Sequence, residues 1–352
     1  MAPELRGLYR GTRKNRNYCE DTIISHRVYL DHAATSPLRP EARAAMEEGF
    51  AIWANPSSPH AEGRKARAAL EDARERVKRA LGWEGEVIFT SGASEALAIA
   101  LGRAKAKRRI VSAVEHDAVL RAAPDAAFFT GAEALGQDTL IAVQHVNSET
   151  GTINPVSDMA ATLRESGALL LSDCAQSAGK LVLPQADMVV VGAHKFGGPI
   201  GIGALLVRDF NLLEPVGGHE RGYRQGTENL PGAMGMAAAL EADAWATTSG
   251  QRAGFAQAVA EQRLIIGEQV DYIFALTHPL LSAQALLIRL DAQGFAVSAG
   301  SACSSGTLKK SRVLDAFGVP DETAARTIRV SLGWSTTPEE LERFADAWAA
   351  LT

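Results

Sequence analysis

A lysine and a carboxylate stand at the ends of two apolar runs, and together they specify a chemistry. The run Asp187-Met188-Val189-Val190-Val191-Gly192 leads into Ala193-His194-Lys195-Phe196-Gly197-Gly198. A continuous β-branched stretch bounded by glycine reads as a strand buried on both faces, one that delivers His194 and Lys195 into a Gly-rich turn. Burial lowers the pKa of an ammonium, so Lys195 is placed to form a Schiff base with an aldehyde cofactor or a carbonyl substrate. A lone loop lysine would instead snorkel to water. What changes the reading is a second buried run, Ala168-Leu169-Leu170-Leu171-Ser172-Asp173, which ends in an acid 22 positions before Lys195. A lysine and an acid at equivalent ends of neighbouring strands are the pair that pyridoxal 5′-phosphate (PLP) requires. The amine holds the aldehyde, and the acid protonates the ring nitrogen so that the ring becomes an electron sink.

The elements that must position this pair follow from pattern and punctuation. Pro40 starts a helix through Glu48, and a long amphipathic helix runs from about Gly63 to Leu81. Glu86–Thr90 is a short strand, and Ser91-Gly92-Ala93-Ser94-Glu95 turns sharply into a helix whose free N–H groups and dipole suit a phosphate, with the Ser94 hydroxyl as a further donor. Taken alone, Ser94 is simply a good helix cap. Further strands are read at Ile110–Ser112, Thr139–His145 and Gly203–Val207. Strand and helix alternation predicts an α/β fold: a mostly parallel sheet with helices on both faces and an active site along the carboxyl ends of the strands. Lys195, Asp173, Asn147, His116 and Ser94 all fall at such ends. Beyond about residue 250 the strand spacing changes, which predicts a smaller α+β domain over 251–352 after a large domain over 28–250. The stretch near 28–37 packs with the small domain in this reading.

Composition narrows the functions. The chain has 352 residues, 46% of them hydrophobic, enough for two globular domains, and a net charge of −5 offers no general attraction to nucleic acid or to an anionic membrane. No apolar run is long enough to span a bilayer. Cys19, Cys174 and Cys303 are far apart, without the spacing of a zinc site or disulfide framework, so the reducing cytoplasm is the expected compartment. Residues 1–27 carry six basic side chains and no apolar core of a signal peptide, and read as a loose basic extension. The Gly-rich stretch 217–229 lacks the lysine spacing of a nucleotide-binding phosphate loop.

Asp173-Cys174-Ala175-Gln176-Ser177-Ala178-Gly179-Lys180 followed by Gly192-Ala193-His194-Lys195 resembles the class V aminotransferase family and, within it, the cysteine desulfurases. The likeness begins at Tyr29-Leu30-Asp31-His32-Ala33-Ala34-Thr35-Ser36-Pro37, where His32 reads as part of a polar strand rather than a base. It covers nearly the whole chain after that point. It implies the type I fold of PLP-dependent transferases, with the cofactor phosphate on Ala93 and Ser94 and a proton-shuttling His116 stacked on the ring. It also implies Gln176 bonded to the ring hydroxyl, and Asn147 in contact with cofactor and substrate. The positions matching Gly217–Asn229 cross a dimer interface, where Thr227 reaches the phosphate of the neighbouring subunit, so a homodimer is implied. Val297-Ser298-Ala299-Gly300-Ser301-Ala302-Cys303-Ser304-Ser305-Gly306 is similar to the long-loop group of desulfurases, with Cys303 as the sulfur-carrying nucleophile. In Thr327-Ile328-Arg329-Val330, Arg329 matches the residue that grips the substrate carboxylate. The implied activity converts L-cysteine to alanine and passes persulfide sulfur to a protein acceptor for iron-sulfur or related biosynthesis. A class V enzyme for selenocysteine or an aminotransferase substrate, and a non-catalytic relative that binds a sulfur-assembly partner, are the alternatives. Two departures from the family stand out. The stretch between His116 and Asn147 is short, and Gly192 occupies a position where the family commonly has a phosphate-binding serine.

Overall fold

The computed structural model describes residues 27–131, 135–300 and 310–352. Its strands are β1 (Val28–Tyr29), β2 (Glu86–Thr90), β3 (Arg108–Val111), β4 (Ala127–Phe128), β5 (Thr139–Ala142), β6 (Leu169–Asp173), β7 (Met188–Gly192), β8 (Gly203–Val207), β9 (Ile273–Thr277), β10 (Phe295–Ala296) and β11 (Thr327–Ser331). Seven of them form one sheet in the order β2-β8-β7-β6-β5-β3-β4. Every pairing from β7 to β4 is parallel, and β8 alone runs against its two neighbours. The mostly parallel α/β sheet read from the sequence is the one observed.

The apolar runs are buried as their composition requires. Val189, Val190 and Val191 of β7 are inaccessible, with helices on both faces. On one side pack the helices Pro40–Ala51, Ala61–Leu81 and Leu230–Glu241, through Leu70, Val77 and Met236. On the other lies the helix Ala93–Arg103, through Leu97 and Leu101. The long helix begins two residues before Gly63 because the His60 ring accepts from the Gly63 N–H at 3.2 Å, and it ends at Gly82, whose φ of 62° favours glycine. Regular β5 stops at Ala142, short of the expected His145. Even so, Val143 and His145 still donate to the carbonyls of Leu171 and Asp173, at 3.0 and 2.9 Å.

A second core lies beside the large sheet. β9 and β11 pair antiparallel, and β1 pairs parallel with β10. A bridge between Asp31 and Ser331 ties the leading segment to β11. Phe255, Phe274, Phe344 and Trp348 fill this core, with Phe255 and Phe274 edge to face at 5.1 Å. Among the described residues no helix is long and apolar enough to cross a membrane.

Candidate active site

The carboxyl ends of the parallel strands open into a cavity of about 690 Å³, and most of the residues singled out in the sequence meet there. Lys195 follows β7 in a single 3₁₀ turn that closes the strand and swings the side chain into the cavity. Its Nζ donates to the carbonyls of Ala33 and Ala34 at 2.6 and 2.8 Å. Burial, with the Arg329 charge second, pulls its pKa down to about 8. The amine is therefore available as a nucleophile close to neutral pH.

Asp173 closes β6 and stands in the same wall. Its Oδ1 accepts from the Ala175 N–H at 2.9 Å. Burial raises its pKa, opposed by that N–H and by His116 and Lys195. His116 caps the helix Asp117–Ala122, its Nδ1 accepting from the Ala118 N–H at 3.2 Å. Burial lowers the pKa of His116, so near neutral pH the ring is uncharged and, with Nδ1 accepting, carries its proton on Nε2. His194 is held through Nδ1 by the Thr35 hydroxyl at 3.1 Å, and burial takes its pKa down to about 4.

Two features at the cavity are unsatisfied by the protein itself. Gln176 donates through Nε2 to the Ala33 carbonyl at 2.9 Å, which leaves its buried Oε1 without a partner among the described residues. At the start of the helix Ala93–Arg103 the cap residue is Gly92, which has no side chain, and the first return bond runs from the Ala96 N–H to the Gly92 carbonyl at 3.1 Å. The N–H groups of Ala93, Ser94 and Glu95 thus lie outside the helical ladder and beside the cavity.

Arg329, on β11, donates to the Ser148 carbonyl at 3.0 Å and to Asp31 at 2.8 Å, and its buried Nε has no partner among the described residues. Half of its fork is thus held by Asp31 while the residue still lines the cavity. Asn147 departs from expectation. Its Oδ1 accepts from the Glu149 and Thr150 N–H groups and the Thr150 hydroxyl, at 2.9, 3.0 and 3.1 Å, and its Nδ2 donates to the Val114 carbonyl at 3.2 Å. With its amide spent on the turn 147–151, Asn147 does not line the cavity; the neighbouring Ser148 and Glu149 do. Thr227 is exposed on its own chain, away from the cavity, in a shallow groove with Trp53 and Pro231.

Cys303 and Cys19 lie outside the described residues. Cys174 is fully buried, and burial pushes its thiol up to about 12, so it is inert packing. His32 is also structural: buried between the Ser36 and Thr336 hydroxyls at 3.1 and 3.2 Å, it has its pKa pulled down to about 3 by burial.

The sequence reading missed Glu115. Its Oε1 accepts from the Gln144 N–H at 2.7 Å, its Oε2 is buried without a partner among the described residues, and burial raises its pKa well above the usual carboxylate range. The one signal was its place beside His116 at a strand end, where an acid ordinarily reads as solvated charge.

These groups fit PLP. There is an amine poised near neutrality, a buried acid, an orphaned amide oxygen in reach of a ring hydroxyl, and a helix start with uncommitted N–H groups. Set along the carboxyl edge of a mostly parallel sheet, such a site defines the class of PLP-dependent α/β enzymes. The comparisons agree with that class: the aminotransferase class-V family model matches residues 28–135 and 133–344, and the chain belongs to that family. A relative from Dictyoglomus turgidum named cysteine desulfurase IscS is 34% identical, over 92% of this chain and 94% of its own. A solved structure titled NifS-like protein superposes with a TM-score of 0.80 at 27% identity, covering 91% of this chain and 98% of its own. Another, titled SspA in complex with cysteine, gives 0.75 at 29% identity, covering 88% and 100%.

Proposed function

We propose that this chain is a PLP-dependent cysteine desulfurase that converts L-cysteine to L-alanine and carries the sulfur as a persulfide on Cys303 to a protein acceptor for iron-sulfur or related biosynthesis. One observation carries the reading. Gly300 and Ser311, on either side of the stretch that contains Cys303, line the same cavity as Lys195, Asp173 and Arg329. The stretch that carries Cys303 thus leaves from and returns to the wall of the cavity that holds Lys195.

When bound, the cofactor supplies the electron sink for the pair left at the substrate Cα. Lys195 provides the anchoring amine, and its lowered pKa frees the lone pair. Asp173 would partner the ring nitrogen, while Ala93, Ser94, His194 and, from the second subunit of a homodimer, Thr227 would hold the phosphate. Gln176, through its unpartnered Oε1, would accept from the ring hydroxyl. Arg329 orients the substrate carboxylate, and Ser148, at 3.0 Å from its guanidinium, fixes its direction. Asn147 acts on substrate through the turn it organises. His116 holds a proton at Nε2, ready to give it to a developing negative charge. The Cys303 thiolate forms the new S–S bond as the substrate's C–S bond breaks. Three widely spaced cysteines suit a reducing cytoplasm.

The test is to supply the holoenzyme with L-cysteine and measure alanine together with protein-bound sulfur. Equal amounts of alanine and Cys303-borne sulfur are expected, with both lost in Cys303→Ala. Turnover of selenocysteine alone, or sulfur found on Cys19 with normal activity in Cys303→Ala, would overturn the proposal.

A further inference from the structure

Two positions on either side of one short stretch of chain, Gly300 and Ser311, meet the same carboxylate at the rim of the cavity. The Ser311 hydroxyl donates to Glu149 Oε2 at 2.6 Å. A Cβ at Gly300 would lie 2.0 Å from that same oxygen and 2.4 Å from the carboxyl carbon, so the Gly300 backbone rests against the carboxylate, which would have to shift to admit a side chain there. Gly300 stands just before the segment bearing Cys303, and Ser311 follows it one residue beyond Lys310. We infer that Glu149 is a positioning residue at the flanks of that segment, bonding the second flank through Ser311 and packing against the first at Gly300.

Each contact is backed by a second layer. Glu149 is presented by the turn that Asn147 organises, its own N–H held by the Asn147 amide oxygen at 2.9 Å. On the first flank, Ser298 pairs with Arg329 through Arg329 N–H to Ser298 O at 2.6 Å and Ser298 N–H to Arg329 O at 3.2 Å. On the second, the Ser311 oxygen accepts from the Leu314 N–H at 3.1 Å, which leaves its proton for Glu149. Arg312 beside it donates to the carbonyls of Ala113 and Glu115 and meets Asp117 at 3.3 Å. Glu149 belongs to the large-sheet side and both flanks to the chain beyond residue 250, so a single side chain sets where the segment leaves and rejoins the site. That geometry gives Glu149 a part in sulfur transfer without contact with the reacting atoms. The role in transfer rests on the desulfurase reading; the anchoring itself does not.

The test uses the holoenzyme and three variants: Glu149→Ala, which removes the anchor; Gly300→Ala, which pushes the carboxylate aside from the opposite flank; and Glu149→Gln, which keeps an acceptor oxygen. Amide hydrogen exchange in the peptide spanning residues 296–316 should quicken about tenfold in the first two and return toward wild type in the third, with exchange elsewhere unchanged. In steady state with L-cysteine, kcat for alanine should fall about tenfold in the first two while KM stays within about twofold. Wild-type exchange in that peptide in both alanine variants would overturn the inference. So would acceleration spread over the whole chain, which would make Glu149 a general stability residue. If the wild type makes no alanine from L-cysteine, the functional reading fails, and the exchange measurement still decides the anchor.

Discussion

At Gly192 the backbone is extended, with φ −117° and ψ 116°, so any residue can take that position. A Cβ there would meet the Ala93 Cβ at 3.5 Å and the Ala93 nitrogen at 3.9 Å, ordinary contacts that point a side chain toward the helix start read as the phosphate cradle. Serine in place of Gly192 therefore adds a donor without strain. A hydrogen bond to a charged group is worth roughly 1.5–3 kcal/mol, so Gly192→Ser should bind PLP about ten- to a hundredfold more tightly, measured as the dissociation constant of the folded protein. Equal or weaker binding would show that the cradle is already saturated. Lys195 gives a pH signature. Its folded pKa of about 8 lies below the unfolded value of 10.5, so the folded state disfavours its charge. The penalty is complete below pH 8 and is relieved as pH rises from about 8 to 10.5, so stability contributed by this group increases across that window. Capture of PLP, trapped by borohydride and mapped to Lys195, should rise with a midpoint near pH 8. Lys195→Met should remove this group's share of the stability slope and leave the share of Lys180, whose pKa burial lowers to about 7.

At the level of elements, the Gly-rich stretch before Thr227 is locked by a buried ion pair. Arg74, on the long helix, makes two contacts with Glu220 at 2.7 and 3.1 Å, and Glu220 also accepts from the Phe89 N–H of β2 at 2.8 Å. Both partners are almost wholly buried. The backbone is forced into the left-handed region at Glu220 and Arg221, with φ of 47° and 56°, a cost of order 1–3 kcal/mol per residue that the ion pair offsets. Glu220→Ala leaves the buried Arg74 with only the partly exposed Glu71 as a charged partner, and should lower unfolding free energy by about 3 kcal/mol in denaturant titration, while Glu71→Ala should cost under about 1 kcal/mol. None of this was legible in the sequence. Arg74 sits in a helix rich in charge, where it reads as one more solvated residue, and its partner lies far along the chain. The strands β6, β7 and β8 were legible because unbroken apolar runs have few other uses. The direction of β8 was not, since such a run is the same read either way. Two-residue β4 and β10 carry no pattern. The bonding of Asn147 within its own turn was not legible, because a polar residue after a strand looks alike whether it faces a cavity or folds back on that turn.

For the molecule as a whole, Trp53 and Phe50 are 79% and 63% exposed beside the groove that holds Thr227. Large aromatics so placed suit burial against a second copy, and the same contact would carry Thr227 to the neighbouring site. Trp53→Asp should shift the protein to monomers in sedimentation velocity and weaken PLP binding together. A variant that stays dimeric with unaltered PLP affinity would place the dimer contact elsewhere. The convergence of Gly300 and Ser311 on Glu149 has a further consequence, for how such an enzyme changes over time. When both ends of a segment are fastened at one point, the stretch between them becomes an exchangeable cassette. Doubling its length adds only about 0.6 kcal/mol of closure entropy. Insertions and substitutions within it can then accumulate, and the chemistry in the cavity need not be rebuilt each time.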